Sequence, residues 1–163
     1  MRRQFGKTIL ELGRKDPKLL LIYGDVFQNM EAFRAEFPNR ILNAGICEQS
    51  MVGMAAGLAL EGWHPVLYSL TPFLLERAYE QWKMDVDVQN VPVIGVGYSS
   101  YPTHGPSQTP LNPRMLCSAF KNIRFSEPVD SFNTEVALLL AHDRAVALGE
   151  PAFISLTRDN NVK

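Results

Sequence analysis

The sequence predicts an α/β protein built on a doubly wound, mostly parallel sheet flanked by helices. Two observations carry that prediction: short apolar runs recur along the chain, and segments of helical periodicity separate them from end to end. Strands spaced by helices connect as βαβ units, which lay the strands parallel. No internal repeat, low-complexity tract or linker interrupts the 163 residues. That length makes residues 1–163 one domain, large enough to bury a real core.

Taken in order, a helical pattern near 3–14 opens the chain, and an unbroken apolar run marks a first strand over Leu19–Asp25. A second strand covers Ile41–Gly45. The helix that follows, 48–61, is almost entirely small or apolar, with Gly53, Ala55, Ala56, Gly57 and Ala59 close together. Glycine weakens a helix relative to alanine, so two of them imply that another element packs very closely there. Then come a strand over Pro65–Leu70, a helix over 73–88, a strand over Val93–Tyr98 and a helix over 111–120. A strand at Ile123–Ser126, a helix over 133–148 and a strand at Ala152–Thr157 complete the chain. Ligands of such sheets bind at the carboxyl ends of the strands. Glu48 and the 98–112 loop both fall there.

Composition narrows the function classes. Apolar residues make up 46% and charged residues 20%, as in ordinary globular proteins. Sixteen basic against 17 acidic residues leave a net charge of −1, which offers no attraction to nucleic acid or to a membrane surface. No apolar run approaches bilayer-spanning length, and Met1–Lys7 lacks the apolar core of a signal peptide, so a cytoplasmic protein is expected. Cys47 and Cys117 are too few and too scattered for a disulfide framework or a zinc site, and are read as reduced thiols. His64 opens a strand and His142 lies in a helical pattern; both are read as structural.

Glu48 is the residue that needs an explanation. A lone acid between a buried strand and a buried helix is costly to ionise unless something pairs with it. Taken alone, it could simply cap free N–H groups at the helix start. Its neighbours change that reading. Asn43, Gly45, Ile46, Glu48, Gln49, Met51, Gly53, Ala55 or Ala56, Gly57, Leu58 and Ala59 follow a long, ordered pattern. The segment resembles the pyrimidine-binding module of transketolase-type thiamine diphosphate enzymes. Further matches are 65–69, Phe73-Leu74, Arg77-Ala78-Tyr79-Glu80-Gln81, 127–130 and 151–158, so the likeness covers nearly the whole chain.

The resemblance implies roles residue by residue. Glu48 stands where the family's glutamate hydrogen-bonds N1′ of the cofactor pyrimidine, so that the cofactor's 4′-amino group can take the C2 proton. A carboxyl in an apolar pocket holds a proton more readily than one in water, as that task needs. The family also sets an aromatic ring against the pyrimidine; Phe73 is the first candidate here and Tyr68 the second, with ordinary core packing as the alternative for each. Asp25 resembles an acid held after the first strand near the thiazolium, or else is a surface turn residue. Arg77 and Arg158 resemble arginines that grip the phosphate of a sugar phosphate, a task suited to the guanidinium fork. For Arg77 the alternative is a salt bridge to Glu76 or Glu80.

The 98–110 loop departs from the family pattern. Transketolases carry Gly-Pro-Thr-His-Gln-Pro, with a histidine facing substrate. The ungapped match, Gly105-Pro106-Ser107-Gln108-Thr109-Pro110, puts Gln108 in its place, whereas Thr103-His104 would be the same pair displaced. Four prolines between 102 and 113 stiffen this loop.

The family's diphosphate site uses Gly-Asp-Gly followed by an Asn pair, with Mg2+ as the bridging metal. Gly24-Asp25-Val26 lacks the third glycine and Asn160-Asn161 comes too late, so no metal ligand is assigned to this chain. The expectation is one subunit of a split enzyme, or a fragment. A diphosphate-binding transketolase-like partner then supplies the Mg2+ and diphosphate contacts, around a homodimeric core within a hetero-oligomer. The implied reaction is two-carbon ketol transfer between sugars or sugar phosphates. A deoxyxylulose-phosphate-synthase-like or 2-oxo-acid-processing subunit is the alternative enzyme, and a non-catalytic regulatory paralogue the alternative outside catalysis.

Overall fold

A computed structural model describes residues 1–99 and 105–157. The strands are β1 (Leu19–Tyr23), β2 (Ile41–Asn43), β3 (His64–Leu70), β4 (Ile94–Tyr98), β5 (Arg124–Ser126) and β6 (Ala152–Leu156). They form one sheet, all parallel, in the order β2-β1-β3-β4-β6-β5. The helices are α1 (Arg2–Lys15), α2 (Glu31–Glu36), α3 (Glu48–Leu60), α4 (Tyr79–Gln81), α5 (Pro113–Cys117) and α6 (Ser131–Leu148). Two π-helical stretches, Pro72–Arg77 and Trp82–Asp87, flank α4, so the helix expected over 73–88 exists but is wound wide at both ends. Helix α2 was not expected. Helix α5 is shorter than the expected 111–120 because Pro113 fits the first helical turn and Asn112 caps it, accepting the Met115 N–H at 3.1 Å.

The sheet divides two cores by residue parity. Leu21, Tyr23, Val66, Tyr68, Ile94, Val96, Ile154 and Leu156 pack with Phe5 and Ile9 of α1 and Leu138 of α6. Ile22, Leu67 and Phe153 pack on the other face with α3 and with Leu74 and Trp82 of the 72–87 segment. On that second face β4 presents glycine. A Cβ on Gly95 would come within 2.7 Å of both Trp82 and Phe153, so its absence lets the indole lie on the sheet. The buried indole N–H donates to the Leu74 carbonyl at 2.7 Å.

The chain leaves β1 toward one edge of the sheet and β3 toward the other, so the direction of winding reverses between these two neighbours. A crevice opens at the carboxyl ends of strands at such a point. Helix α3, which links β2 to β3, begins there.

Candidate active site

Glu48 is the first residue of α3, 1% exposed. Two turns, after β1 and after β2, meet beneath it. The Asn43 side-chain oxygen, at the end of β2, accepts the backbone N–H of Asp25 at 3.2 Å and of Gly45 at 2.9 Å. Both residues take left-handed backbone, Asp25 with φ 62° and Gly45 with φ 68°, a conformation glycine adopts freely and aspartate tolerates. Gly24 precedes Asp25 and faces the Gly45 carbonyl, 3.3 Å from where its Cβ would be. A Cβ there would stand 3.1 Å from Ser69 Oγ and 3.2 Å from Glu48 Oε1, so the missing side chain keeps the space open for the carboxylate.

The carboxylate has two partners. Ser69 Oγ, fully buried on β3, donates to Oε1 at 3.2 Å, and Arg77 Nη1 donates to Oε2 at 2.6 Å. Arg77 therefore pairs across 29 residues of sequence with Glu48, not along its own helix with Glu76 or Glu80. The π-helical stretch Pro72–Arg77 sets its side chain over the start of α3. Glu76 is engaged elsewhere, accepting the Leu111 N–H at 2.7 Å. The Arg77 guanidinium lies 4.2 Å from the centre of the Phe73 ring, giving a column of ring, guanidinium and carboxylate at the crevice. The buried charge of Glu48 is thus compensated, as a buried carboxylate requires.

The other expected residues separate. Phe73 is half-buried beside Glu48's partner, where a planar ligand could reach its face. Tyr68 corrects the second aromatic choice. It lies on the opposite face of the sheet from Ser69, fully buried and stacked on Phe5 at 4.6 Å, and so turns no ring toward Glu48. Asp25 is exposed on the turn after β1. Gln108 ends the short 3-10 turn Pro106–Gln108, which packs against Pro72–Arg77 and so borders the same crevice. His104 and Arg158 lie outside the described residues. Sequence reasoning gave Gly24, Asn43 and Ser69 no role of their own. Ser69 had a signal, a lone hydroxyl in an apolar strand. Among the described residues the close packing expected at the α3 glycines is not seen: a Cβ on Gly57 would meet nothing within 4 Å, and one on Gly53 only Asp85 Oδ2 at 3.4 Å.

An all-parallel doubly wound sheet with a buried, paired glutamate at its switch point defines a ligand-binding α/β module. Residues 1–162 match the family model described as transketolase, pyrimidine binding domain, and the chain belongs to that family. It is 35% identical over 164 residues to the 1-deoxy-D-xylulose-5-phosphate synthase of Syntrophus aciditrophicus (strain SB), covering 97% of this chain and 24% of that protein. It is 50% identical over 74 residues to one of the subunits of the apulose-4-phosphate transketolase of Actinobacillus succinogenes (strain ATCC 55618 / DSM 22257 / CCUG 43843 / 130Z), covering 45% of this chain and 24% of that one. A solved structure described as a split gene transketolase, inactive beta4 tetramer, superposes with a TM-score of 0.84 at 26% identity, over 96% of this chain and 50% of the other. The chain therefore spans about a quarter of the length of these curated relatives.

Proposed function

We propose that this chain is the pyrimidine-binding part of a split, transketolase-like enzyme that depends on thiamine diphosphate and transfers two-carbon ketol units between sugars or sugar phosphates. The observation that carries the reading is the buried Glu48 carboxylate, seated over the Gly24 gap at the switch point. The residues fit a pyrimidine: a carboxylate to meet a ring nitrogen, a cradle that a Cβ would fill, and an aromatic face at Phe73. When bound, thiamine diphosphate supplies the carbon centre at which the C–C bond is made and broken.

This chain's own residues orient and protonate. Glu48 holds the shared proton at N1′, Ser69 fixes its Oε1, and Phe73 offers the stacking face. Arg77 now occupies Oε2, so ligand entry requires the guanidinium to swing aside. In that position it is free to meet the phosphate end of a substrate together with Arg158, with Gln108 or His104 at the bordering loop. Asp25, exposed on the turn after β1, would lie toward the thiazolium. The Mg2+ and diphosphate contacts come from a partner subunit of the same family. Relatives described as a separate transketolase subunit and as an inactive beta4 tetramer of a split transketolase support this division of labour.

A second enzyme reading, condensation with a 2-oxo acid as in deoxyxylulose-phosphate synthases, is favoured by the 35% identity along 97% of the chain. A regulatory paralogue has no need of a buried acid in this position. The test is reconstitution with the diphosphate-binding subunit, cofactor and Mg2+. Ketol transfer is expected in the mixture and not from either protein alone. Full turnover by this chain alone would refute the split reading, and carbon dioxide release from a 2-oxo acid donor would favour the second enzyme.

A further inference from the structure

Asp16, His64 and His142 meet at the end of the sheet opposite Glu48. Asp16 follows α1, His64 opens β3 and His142 lies on α6, so three separate elements converge. Along β3 the distance from His64 to Ser69 is about 16 Å at ~3.3 Å per residue. The Asp16 Oδ2 oxygen lies 2.7 Å from His64 Nδ1 and 2.8 Å from His142 Nε2, and all three atoms fall within 4.8 Å of one another. We propose that these residues form a transition-metal site, of the two-histidine, one-carboxylate type that suits Zn2+, joining α1, β3 and α6.

Three observations support it. The first is the aim of the carboxylate. Asp16 Oδ1 accepts the Lys18 N–H at 2.9 Å, which leaves Oδ2 facing both imidazoles. The second is the free side of His142. With Nε2–H turned to Asp16, the buried Nδ1 is left with no hydrogen-bond partner among the described residues, yet it stands 3.8 Å from the Asp143 carboxylate. A metal on Nε2 moves the ring proton to Nδ1 and aims it at Asp143, the carboxylate–histidine–metal arrangement that fixes a ligating imidazole. The third is the setting. Arg40 donates to the Gly13 and Asp16 carbonyls, both at 2.7 Å, and so satisfies the end of α1 without using the Asp16 side chain. A groove lined by Leu12, Lys15, Leu139, Asp143 and Val146 opens onto Asp16 and His142, giving an ion a way in. Tetrahedral zinc, with bonds of about 2.1 Å, needs its donors about 3.4 Å apart, so the Asp16 carboxylate must turn outward and the two imidazoles, whose ligand nitrogens lie within 4.8 Å, must adjust around the ion.

The test uses the untagged chain with Cys47→Ser, stripped with a chelator, so that the exposed thiol cannot bind the probe. Titration with Zn2+ should show one ion per chain with micromolar or tighter affinity and a rise in melting temperature. Co2+ should give the visible absorption of a tetrahedral site. His142→Gln and Asp16→Asn should each weaken binding by at least tenfold, and Asp143→Asn by a smaller factor, with circular dichroism showing that each variant folds. Absence of saturable Zn2+ binding, or binding that His142→Gln leaves unchanged, would overturn the proposal and leave a hydrogen-bonded anchor only.

Discussion

At the scale of single residues, Glu48 and Arg77 form a lock as well as a pair. The carboxylate is 1% exposed, and Arg77 and Ser69 are its two partners. Glu48→Gln keeps the volume but removes the acid proposed to share a proton with N1′. In the reconstituted enzyme it should lower turnover by about 10²–10⁴-fold, the range for a lost acid–base group, with the melting curve little changed. Near wild-type exchange of the cofactor's C2 proton in that variant would remove Glu48 from its proposed role. The two cysteines offer a check on packing itself. Burial pushes the Cys117 thiol up to about 12, whereas Cys47 is exposed at the start of α3. Because the thiolate is the reactive form, an alkylating agent at pH 8 should modify Cys47 alone until the chain is denatured. Mass spectrometry counts the labels, and equal labelling of Cys117 in the native protein would contradict this core.

At the scale of elements, two glycines make opposite predictions. Gly95 sits under Trp82 and Phe153, so Gly95→Val forces a side chain into a space 2.7 Å from both and should cost about 1–3 kcal/mol, or more if the indole cannot shift. Gly57 faces open space within the chain. There Gly57→Leu should stabilise the isolated fold by up to about 1 kcal/mol, since glycine is the poorer helix former. Urea unfolding of the two variants decides whether these glycines play the parts assigned to them. The anchor at Asp87 shows the same logic of elements tied by one side chain. Its buried carboxylate accepts the N–H groups of Lys121, Asn122 and Ile123, fixing the 72–87 segment to the entry of β5.

At the scale of the whole molecule, the open face of α3 has a consequence for assembly. Met54 and Leu60 are exposed on the same helix, and Met84 and Val88 on the neighbouring segment. Cyclic pairs are the commonest way for proteins to cover such a surface. The chain should self-associate through this face, and Gly57→Leu should weaken assembly even as it stabilises the fold. Sedimentation at micromolar concentration checks both halves. A wild-type monomer, or a Gly57→Leu variant that assembles normally, would leave the α3 glycines unexplained. Among the described residues nothing approaches the open side of Gly57, which is why a second chain is the proposed neighbour.

Local pattern was enough for the strands, the longer helices and the doubly wound class. Runs of apolar residues and their spacing by helices depend on neighbours a few residues away, so a short window of sequence contains them. Pro113 and Asn112, which start α5, were as local but went unread. The ordered motif from Asn43 to Ala59 likewise placed Glu48 at a strand-to-helix turn. The wide π turns and the short α2 were not legible, since tertiary packing settles them against weak local preference. The partners of Glu48 came from the folded chain alone. Arg77 lies 29 residues away and reaches the carboxylate because β3 runs beside β1, and because the Pro72–Arg77 turn aims it back over α3. Folding also decided that Ser69, not Tyr68, faces Glu48. Alternation puts these two on opposite faces of β3, but which face carries α3 follows from the path of the crossover, a property of the whole chain that no window of sequence contains.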